Sequence, residues 1–348
     1  MPHSYETELA VDRYSSLRDQ YSDSIAGVET VMRSLPLAFS WDAVPPMRDL
    51  VTDQLRRTGK RLRPITVFAF CQTFGGSLAR TVEAASAIEI YHTATLVYDD
   101  VQDNSEFRRG LPCAHVSSST STALNLAGTV RSLMFRPVNA SHELSDAEKL
   151  SVHERLERAS TLVGLGQSID IGWHEGWYAS FGLFPYMQMI KWKTGALFAC
   201  AAAFGAELAH AHRDDINASY AMGEGIGTLF QMADDYLDVF GNPGEVGHPP
   251  YEDVRGGKLT AATLPLLEIL AESGEKAALA QALDALNSRS TGSGPQRVIA
   301  DLMARFNVEA AARSRIGEYQ KAVRQSLNAL PEGSRQHVEA LVDCIARS

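Results

Sequence analysis

Two short stretches carry more carboxylates than a helix tolerates without a reason. Asp99, Asp100 and Asp103 stand in the run DDVQD, and Asp234, Asp235 and Asp238 in DDYLD. In a helix, positions i and i+4 share a face, so Asp99 projects beside Asp103 and Asp234 beside Asp238. Like charges at that spacing destabilise a helix by about 0.2–0.5 kcal/mol per pair. Both clusters end largely apolar segments, where desolvation adds to the cost. A bound cation reverses the sign of that energy. Mg²⁺ in particular takes one or two carboxylates and completes its shell with phosphate oxygens and water. A solvated acidic face is the plain alternative for either run alone. Two copies on separate apolar helices weigh against it.

Cationic side chains accompany the acids. They are Lys60, Arg61 and Arg63 in GKRLRP, Arg108 and Arg109 ahead of Gly110, Lys193 ahead of Thr194, and Lys258 in GGKLT. Each has an ordinary reading: a solvated turn, a helix C-terminal charge, a surface lysine. Taken with two acidic clusters they form the set that two diphosphates need. Metals bridge one diphosphate and basic side chains hold the other.

The elements that must position these residues read as helices almost throughout. Residues 78–109 contain neither Gly nor Pro, and Ala84, Ile88, Tyr91, Thr95 and Tyr98 step at three or four. A helix apolar on most sides belongs inside a bundle. Further helices are expected over 186–210, 218–240, 43–57, 144–172, 260–286, 296–327 and 333–346. Residues 241–257, rich in Gly and Pro, should form an irregular loop, and residues 288–295 a plain connection. Because 241–257 follows DDYLD, it is also a candidate cover for the site.

Composition bounds the rest. The chain has 348 residues, 45% of them hydrophobic, enough for a large core. Lys plus Arg number 32 against 42 Asp plus Glu, a formal charge of −10. That argues against a nucleic-acid partner, which favours a basic stripe. Cys71, Cys113, Cys200 and Cys344 lie far apart with no CxxC pair. Reduced, partly buried thiols are expected rather than a disulfide framework or a zinc site. The first residues carry acids and no apolar run, unlike a secretory signal. The most apolar window, 194–209, is too short to span a bilayer and contains Glu207. The expectation is a cytoplasmic protein without a transmembrane segment.

In order, the motifs GKRLRP at 59–64, EIYHTATLVYDDVQDNSEFRRG at 89–110, GQSID at 166–170, KTGALF at 193–198, FQMADDYLD at 230–238 and DVRGGKLT at 253–260 resemble those of the trans-isoprenyl (polyprenyl) diphosphate synthases. The resemblance covers about residues 30–345 and is specific, because order and internal spacings agree together. It implies an all-α isoprenoid synthase fold. The expected architecture is a single large helical bundle around a central cavity, one domain over 1–348 with 1–29 as an N-terminal extension, in a homodimer.

The resemblance also implies roles. Asp99, Asp103 and Asp234 are expected as Mg²⁺ ligands, three ions per active site. Asp100, Asp235 and Asp238 are expected to complete the two metal-binding acidic faces, directly or through water. Arg108, Lys193, Thr194, Gln231 and Lys258 would contact an allylic prenyl diphosphate. Lys60, Arg63, His92 and Arg109 would hold isopentenyl diphosphate. Asp170 falls near the same cavity, and Arg61 and Gly110 would shape their turns. The implied reaction is head-to-tail condensation after ionisation of the allylic substrate, with the proton lost to the departing diphosphate and no protein base.

Product length follows from the helix that ends in DDVQD. Ala94 and Thr95 lie one turn below the metals, Tyr91 two turns and Ile88 three. In this family an aromatic one turn below closes the pocket for short products. Here that level is small, so geranylgeranyl diphosphate or a longer polyprenyl diphosphate is expected. Tyr91 is either the floor of the pocket or a packed core tyrosine. Tyr98, Cys113, the segment 117–135 and the patch of Trp173, His174 and Trp177 depart from the family pattern. Two rival readings are a class I terpene cyclase and a noncatalytic subunit of a heteromeric synthase. GKRLRP, RRG and two complete acidic motifs weigh against both.

Overall fold

The computed structural model describes residues 14–177, 182–241, 251–288 and 294–346. Among them the architecture is all-α, as expected, with one minimal hairpin as the only sheet. The chain divides into two compact units. The first comprises residues 1–160, 197–223 and 327–344, and the second 161–196, 224–326 and 345–348.

In the first unit the element that matters most is α1, Val82–Gln102. Its buried side includes Ala84, Ile88, Ile90, Tyr91, Ala94 and Val97. Helix α2, Thr120–Leu133, packs along it. The Ser119 hydroxyl caps α2, accepting from the Thr122 amide at 3.1 Å. The GKRLRP motif is not merely a turn. It opens a helix, Leu62–Thr73, that sequence periodicity did not mark. Arg61 sits at its N-cap with φ 53. This left-handed residue is stabilised by a buried ion pair from Arg61 to Glu89 at 2.6 Å, with Glu29 a further 3.6 Å contact.

In the second unit the expected 186–210 helix proves to be three consecutive pieces: Leu183–Ile190, a π-helical turn at Lys191–Gly195, and Ala196–Leu208, whose residues from Leu197 belong to the first unit. The second acidic motif ends the helix Arg213–Phe240. The expected helices over 260–286 and 296–327 are each two. The first breaks into Thr263–Glu272 and Lys276–Asn287 at Gly274, φ 72. The second breaks into Gly294–Arg305 and Val308–Ser326 at Asn307, φ 50. A residue forced into the left-handed region ends an α-helix, and Gly and Asn are the types that reach it most cheaply.

Of the expected irregular loop, residues 242–250 lie outside the described residues. From Tyr251 the chain is ordered into a four-residue helix, Glu252–Arg255. All four cysteines are buried and none forms a disulfide. No helix among the described residues is long and apolar enough to cross a membrane. Glu207, within the apolar window, accepts from Arg155 at 2.6 Å and from the Ser151 hydroxyl.

Candidate active site

The first unit sets Asp100 of the DDVQD motif and two of the predicted cations, Arg108 and Arg109, on one cleft. The cleft has about 370 Å³ of space, part of it open to solvent, and is lined by Gln54, Arg57, Glu89, His92, Thr93, Leu96, Asp100, Arg108 and Arg109. Arg108 and Arg109 are delivered by a hairpin of two-residue strands, Phe107–Arg108 and Leu111–Pro112, in register Arg108↔Leu111. Its two central residues, Arg109 and Gly110, both have positive φ, 54 and 75. That is the requirement of the tight turn whose twist suits a hairpin. The glycine is therefore conformational, while the two arginines are aimed. Arg109 donates to the Thr58 carbonyl. A Cβ at Gly59 would fall 2.7 Å from the Arg109 guanidinium, so the first residue of GKRLRP must be small for the RRG arginine to lie there.

His92 stands on α1 and its Nε2 lies 3.0 Å from the Arg63 guanidinium. Arginine can only donate, so Nε2 accepts and the imidazole is neutral with its proton on Nδ1. Burial, then the charges of Arg63, Arg109, Arg108 and Arg61, hold His92 well below the ordinary imidazole range. Burial also lowers Arg63, to about 10, against the pull of Glu89. Arg63 lies over the Phe198 ring, 5.0 Å from its centroid. Lys60 is exposed beside this cluster in sequence and does not line the cleft.

The three aspartates of DDVQD differ. Asp100 is buried and accepts from Arg108 Nε at 2.5 Å. Asp99 is half-buried and Asp103 exposed, and the Asp103 amide donates to the Asp99 carbonyl at 2.8 Å, so the i, i+4 relation holds to the end of the helix. Below them, Ala94 and Ile88 are buried, Thr95 is half-buried and bonded to the His92 carbonyl, and Tyr91 is 4% exposed. The Tyr91 hydroxyl donates to the Ser160 carbonyl at 3.2 Å. That bond fixes the ring, and burial raises the hydroxyl to about 12.

In the second unit Lys193 and Thr194 lie on the π-helical turn. Such turns are rare and tend to occur at functional positions because they re-aim side chains. Lys193 Nζ donates to Asp170 at 2.6 Å, so Asp170 holds the ammonium in place. The packing that brings them together depends on Gly166, where a Cβ would fall on the Lys193 backbone nitrogen and 2.8 Å from its Cα. The Thr194 hydroxyl donates to Gln231 Oε1 at 2.8 Å, and Gln231 Nε2 donates to Asp235 at 2.8 Å.

The DDYLD aspartates also divide. Asp234 is exposed, Asp235 and Asp238 are buried. Asp235 accepts from Tyr186, Gln231 and the Ala261 amide, and burial, with the nearby Asp253 carboxylate, raises it to about 7. Asp238 accepts from the amides of Glu252 and Asp253 at 2.9 and 3.2 Å, tying the motif to the segment that carries Lys258. Lys258 Nζ lies 3.6 Å from Asp253.

Among the described residues no three His, Cys, Asp or Glu side chains form a metal cage. The donors present are hard carboxylate oxygens, one or two per face. This is the donor set Mg²⁺ accepts when a substrate supplies phosphate oxygens. Sequence reasoning missed Arg57, Gln54 and Glu89 in the cleft, and Tyr186. Arg57 stands two residues ahead of GKRLRP and signals itself only as one more surface cation. Of the departures, Cys113 is buried and Trp177 is 63% exposed.

A family model described as polyprenyl synthetase matches residues 44–295. A geranylgeranyl diphosphate synthase of Sulfolobus acidocaldarius is 30% identical over 271 residues, covering 78% of this chain and 80% of that protein. A geranylfarnesyl diphosphate synthase of Aeropyrum pernix is 30% identical over 291 residues, covering 82% and 88%. Among solved structures, a polyprenyl synthase from Caulobacter crescentus, complexed with calcium and isoprenyl diphosphate, is similar with a TM-score of 0.81 and 27% identity, covering 97% of this chain and 98% of that one. The chain belongs to the polyprenyl synthetase family and is an all-helical prenyl-transferring enzyme of the trans-isoprenyl diphosphate synthase type.

Proposed function

We propose that the protein condenses isopentenyl diphosphate head to tail with an allylic prenyl diphosphate to give geranylgeranyl diphosphate or a longer product. The observation that carries this reading is the cleft of the first unit. It sets Arg57, Arg108, Arg109 and a neutral His92 around one partly open cleft. A cyclase acting on one prenyl diphosphate has no use for such a second anion site. The names of the relatives from Sulfolobus acidocaldarius and Aeropyrum pernix support the product class.

In this reading isopentenyl diphosphate is held by Lys60, Arg63, His92 and Arg109. Neutral His92 donates from Nδ1, without adding charge. Arg108, Lys193, Thr194, Gln231 and Lys258 hold the allylic diphosphate, and Asp170 aims Lys193. Cationic donors preorganised around the leaving diphosphate favour heterolysis of the allylic carbon–oxygen bond. The double bond of isopentenyl diphosphate then attacks the allylic carbon. A proton leaves the adduct for the departing diphosphate, so no side chain acts as base. Asp99, Asp103 and Asp234 would hold Mg²⁺, which when bound supplies further charge neutralisation on the leaving group. Asp100, Asp235 and Asp238 complete the two acidic faces, each held by protein donors: Arg108 on the first, Gln231 on the second and the 252–253 amides on the third. Three Mg²⁺ per active site, a homodimer and a cytoplasmic setting belong to the same proposal, on the strength of the family resemblance. The calcium in the Caulobacter crescentus structure supports the use of a divalent ion.

The experiment is product analysis with purified chain, Mg²⁺, labelled isopentenyl diphosphate and each of dimethylallyl, geranyl and farnesyl diphosphate in turn. Labelled products of twenty carbons or more are expected. A volatile product from one prenyl diphosphate alone, with isopentenyl diphosphate untouched, would replace this reading with the cyclase.

A further inference from the structure

One buried polar group of the second unit has no role in the chemistry above. Tyr186 is 1% exposed, on the helix Leu183–Ile190, seven residues ahead of Lys193. Its hydroxyl donates to Asp235 Oδ2 at 2.8 Å. The Ala261 amide donates to the same oxygen at 2.9 Å, and Gln231 Nε2 donates to Oδ1 at 2.8 Å. Beyond Gln231 the chain continues to the Thr194 hydroxyl, which donates to Oε1 at 2.8 Å.

Every donor in this chain points toward Asp235, which fixes an otherwise ambiguous group. A glutamine amide has a donor end and an acceptor end of nearly the same shape, and only its partners decide which way it faces. With the Asp235 carboxylate on one side, the NH₂ end must face Asp235 and the carbonyl must face Thr194. The second N–H of Gln231 is then a donor of fixed direction. Asp235 can play this part only while it is itself held. Its three partners leave its carboxylate no alternative orientation, and Tyr186 is the side chain that holds it from the side opposite Gln231's bond. Burial makes each of these bonds stronger than it would be in water.

We propose that Tyr186 is a positioning residue for the allylic diphosphate: through Asp235 it sets the orientation of Gln231 and, with it, the hydroxyl of Thr194. The proposal rests on the reading above that Gln231 and Thr194 contact that diphosphate. It separates Asp235 from Asp234 in function. Asp235 orients a neighbouring amide, and its oxygens are occupied by protein donors.

The test is a double-mutant cycle of Tyr186→Phe and Gln231→Ala, read as kcat and KM for each substrate separately. Leaving a buried acceptor such as this without its donor is worth about a tenfold effect or more. Tyr186→Phe should lower kcat/KM for the allylic diphosphate about tenfold and leave KM for isopentenyl diphosphate within about twofold. In the Gln231→Ala background the same change should cost less than about twofold, because residues acting through one chain are not additive. Equal losses in both backgrounds would overturn the relay, and so would a loss shared equally by both substrates. Should Tyr186→Phe fold poorly by circular dichroism, Asp235→Asn in the same cycle carries the same expectations. If the unaltered chain incorporates no isopentenyl diphosphate, the functional reading fails. If it does and the cycle is additive, only this inference fails.

Discussion

Arg63 and His92 illustrate how much one hydrogen bond decides at the scale of the residue. Because the guanidinium has no acceptor, the contact at 3.0 Å requires an imidazole with a bare Nε2. Burial and four nearby arginines keep it so. The folded protein therefore refuses a proton that the unfolded chain accepts below a pH of about 6.5. The sign follows: the unfolded state binds more protons there, so stability is lost as pH falls through that value. Urea denaturation at pH 7.5 and 5.5 should show a smaller acid loss for His92→Gln than for the unaltered chain. An identical loss in both would mean that His92 is not the group responsible. Arg57 makes a second case. It is anchored by Asp53 at 2.9 Å and the Pro112 carbonyl at 3.1 Å, at the edge of the cleft. Arg57→Ala should raise KM for isopentenyl diphosphate about tenfold, the scale of one charge-assisted hydrogen bond. KM for the allylic substrate should stay unchanged, and a change in both would make Arg57 structural. Nothing in the sequence singled out Arg57, since a lone arginine ahead of a basic motif has no spacing of its own. Asp170 was visible in GQSID and Lys193 in KTGALF, but their pairing was not, because it depends on packing across 23 residues.

At the scale of the element, the acidic motifs and their helices were legible because periodicity and charge agree there. The helix Val82–Gln102 ends within one residue of Asp103, as the i, i+4 pairing required. What periodicity could not show was local interruption. A single left-handed residue at Gly274 or Asn307 splits a pattern that reads as continuous. The π-helical turn at Lys191–Gly195 leaves no sequence signature at all, yet it aims Lys193 and Thr194. Gly166 is the position on which that turn leans. Gly166→Ala should destabilise the protein by about 1–3 kcal/mol, the usual cost of overpacking. Loss of kcat/KM for the allylic substrate should accompany it. A denaturation midpoint unchanged from the unaltered chain would show that the close approach is relieved cheaply. Tyr91 belongs to this scale too, since under the proposed function its height along the helix would set the depth of the tail pocket. The bond to Ser160 fixes the ring against rotation. Tyr91→Ala should lengthen the product, measured by chromatography of the dephosphorylated alcohols. Unchanged length would leave Tyr91 a core residue and nothing more.

At the scale of the whole molecule, a formal charge of −10 coexists with substrates that are themselves anions. The resolution is local. Each compact unit carries one acidic motif together with its own cations: Arg57, Arg63, Arg108 and Arg109 in the first, Lys193 and Lys258 in the second. Fold class and chemistry were readable from sequence because the motifs recur in fixed order over most of the chain. The buried support was not, because Tyr186, Glu89 and Gln54 act through contacts that linear spacing does not encode. Metal-dependent condensation is tested most directly by a Mg²⁺ titration of label incorporation from isopentenyl diphosphate into an acid-labile product, with farnesyl diphosphate as starter. The expected result is no incorporation in EDTA, restoration by Mg²⁺, and loss of about a hundred- to a thousandfold in kcat on Asp99→Ala or Asp234→Ala, as when preorganised charge stabilisation is removed. Incorporation that persists in EDTA, or that survives either substitution, would contradict the assignment of the two acidic motifs.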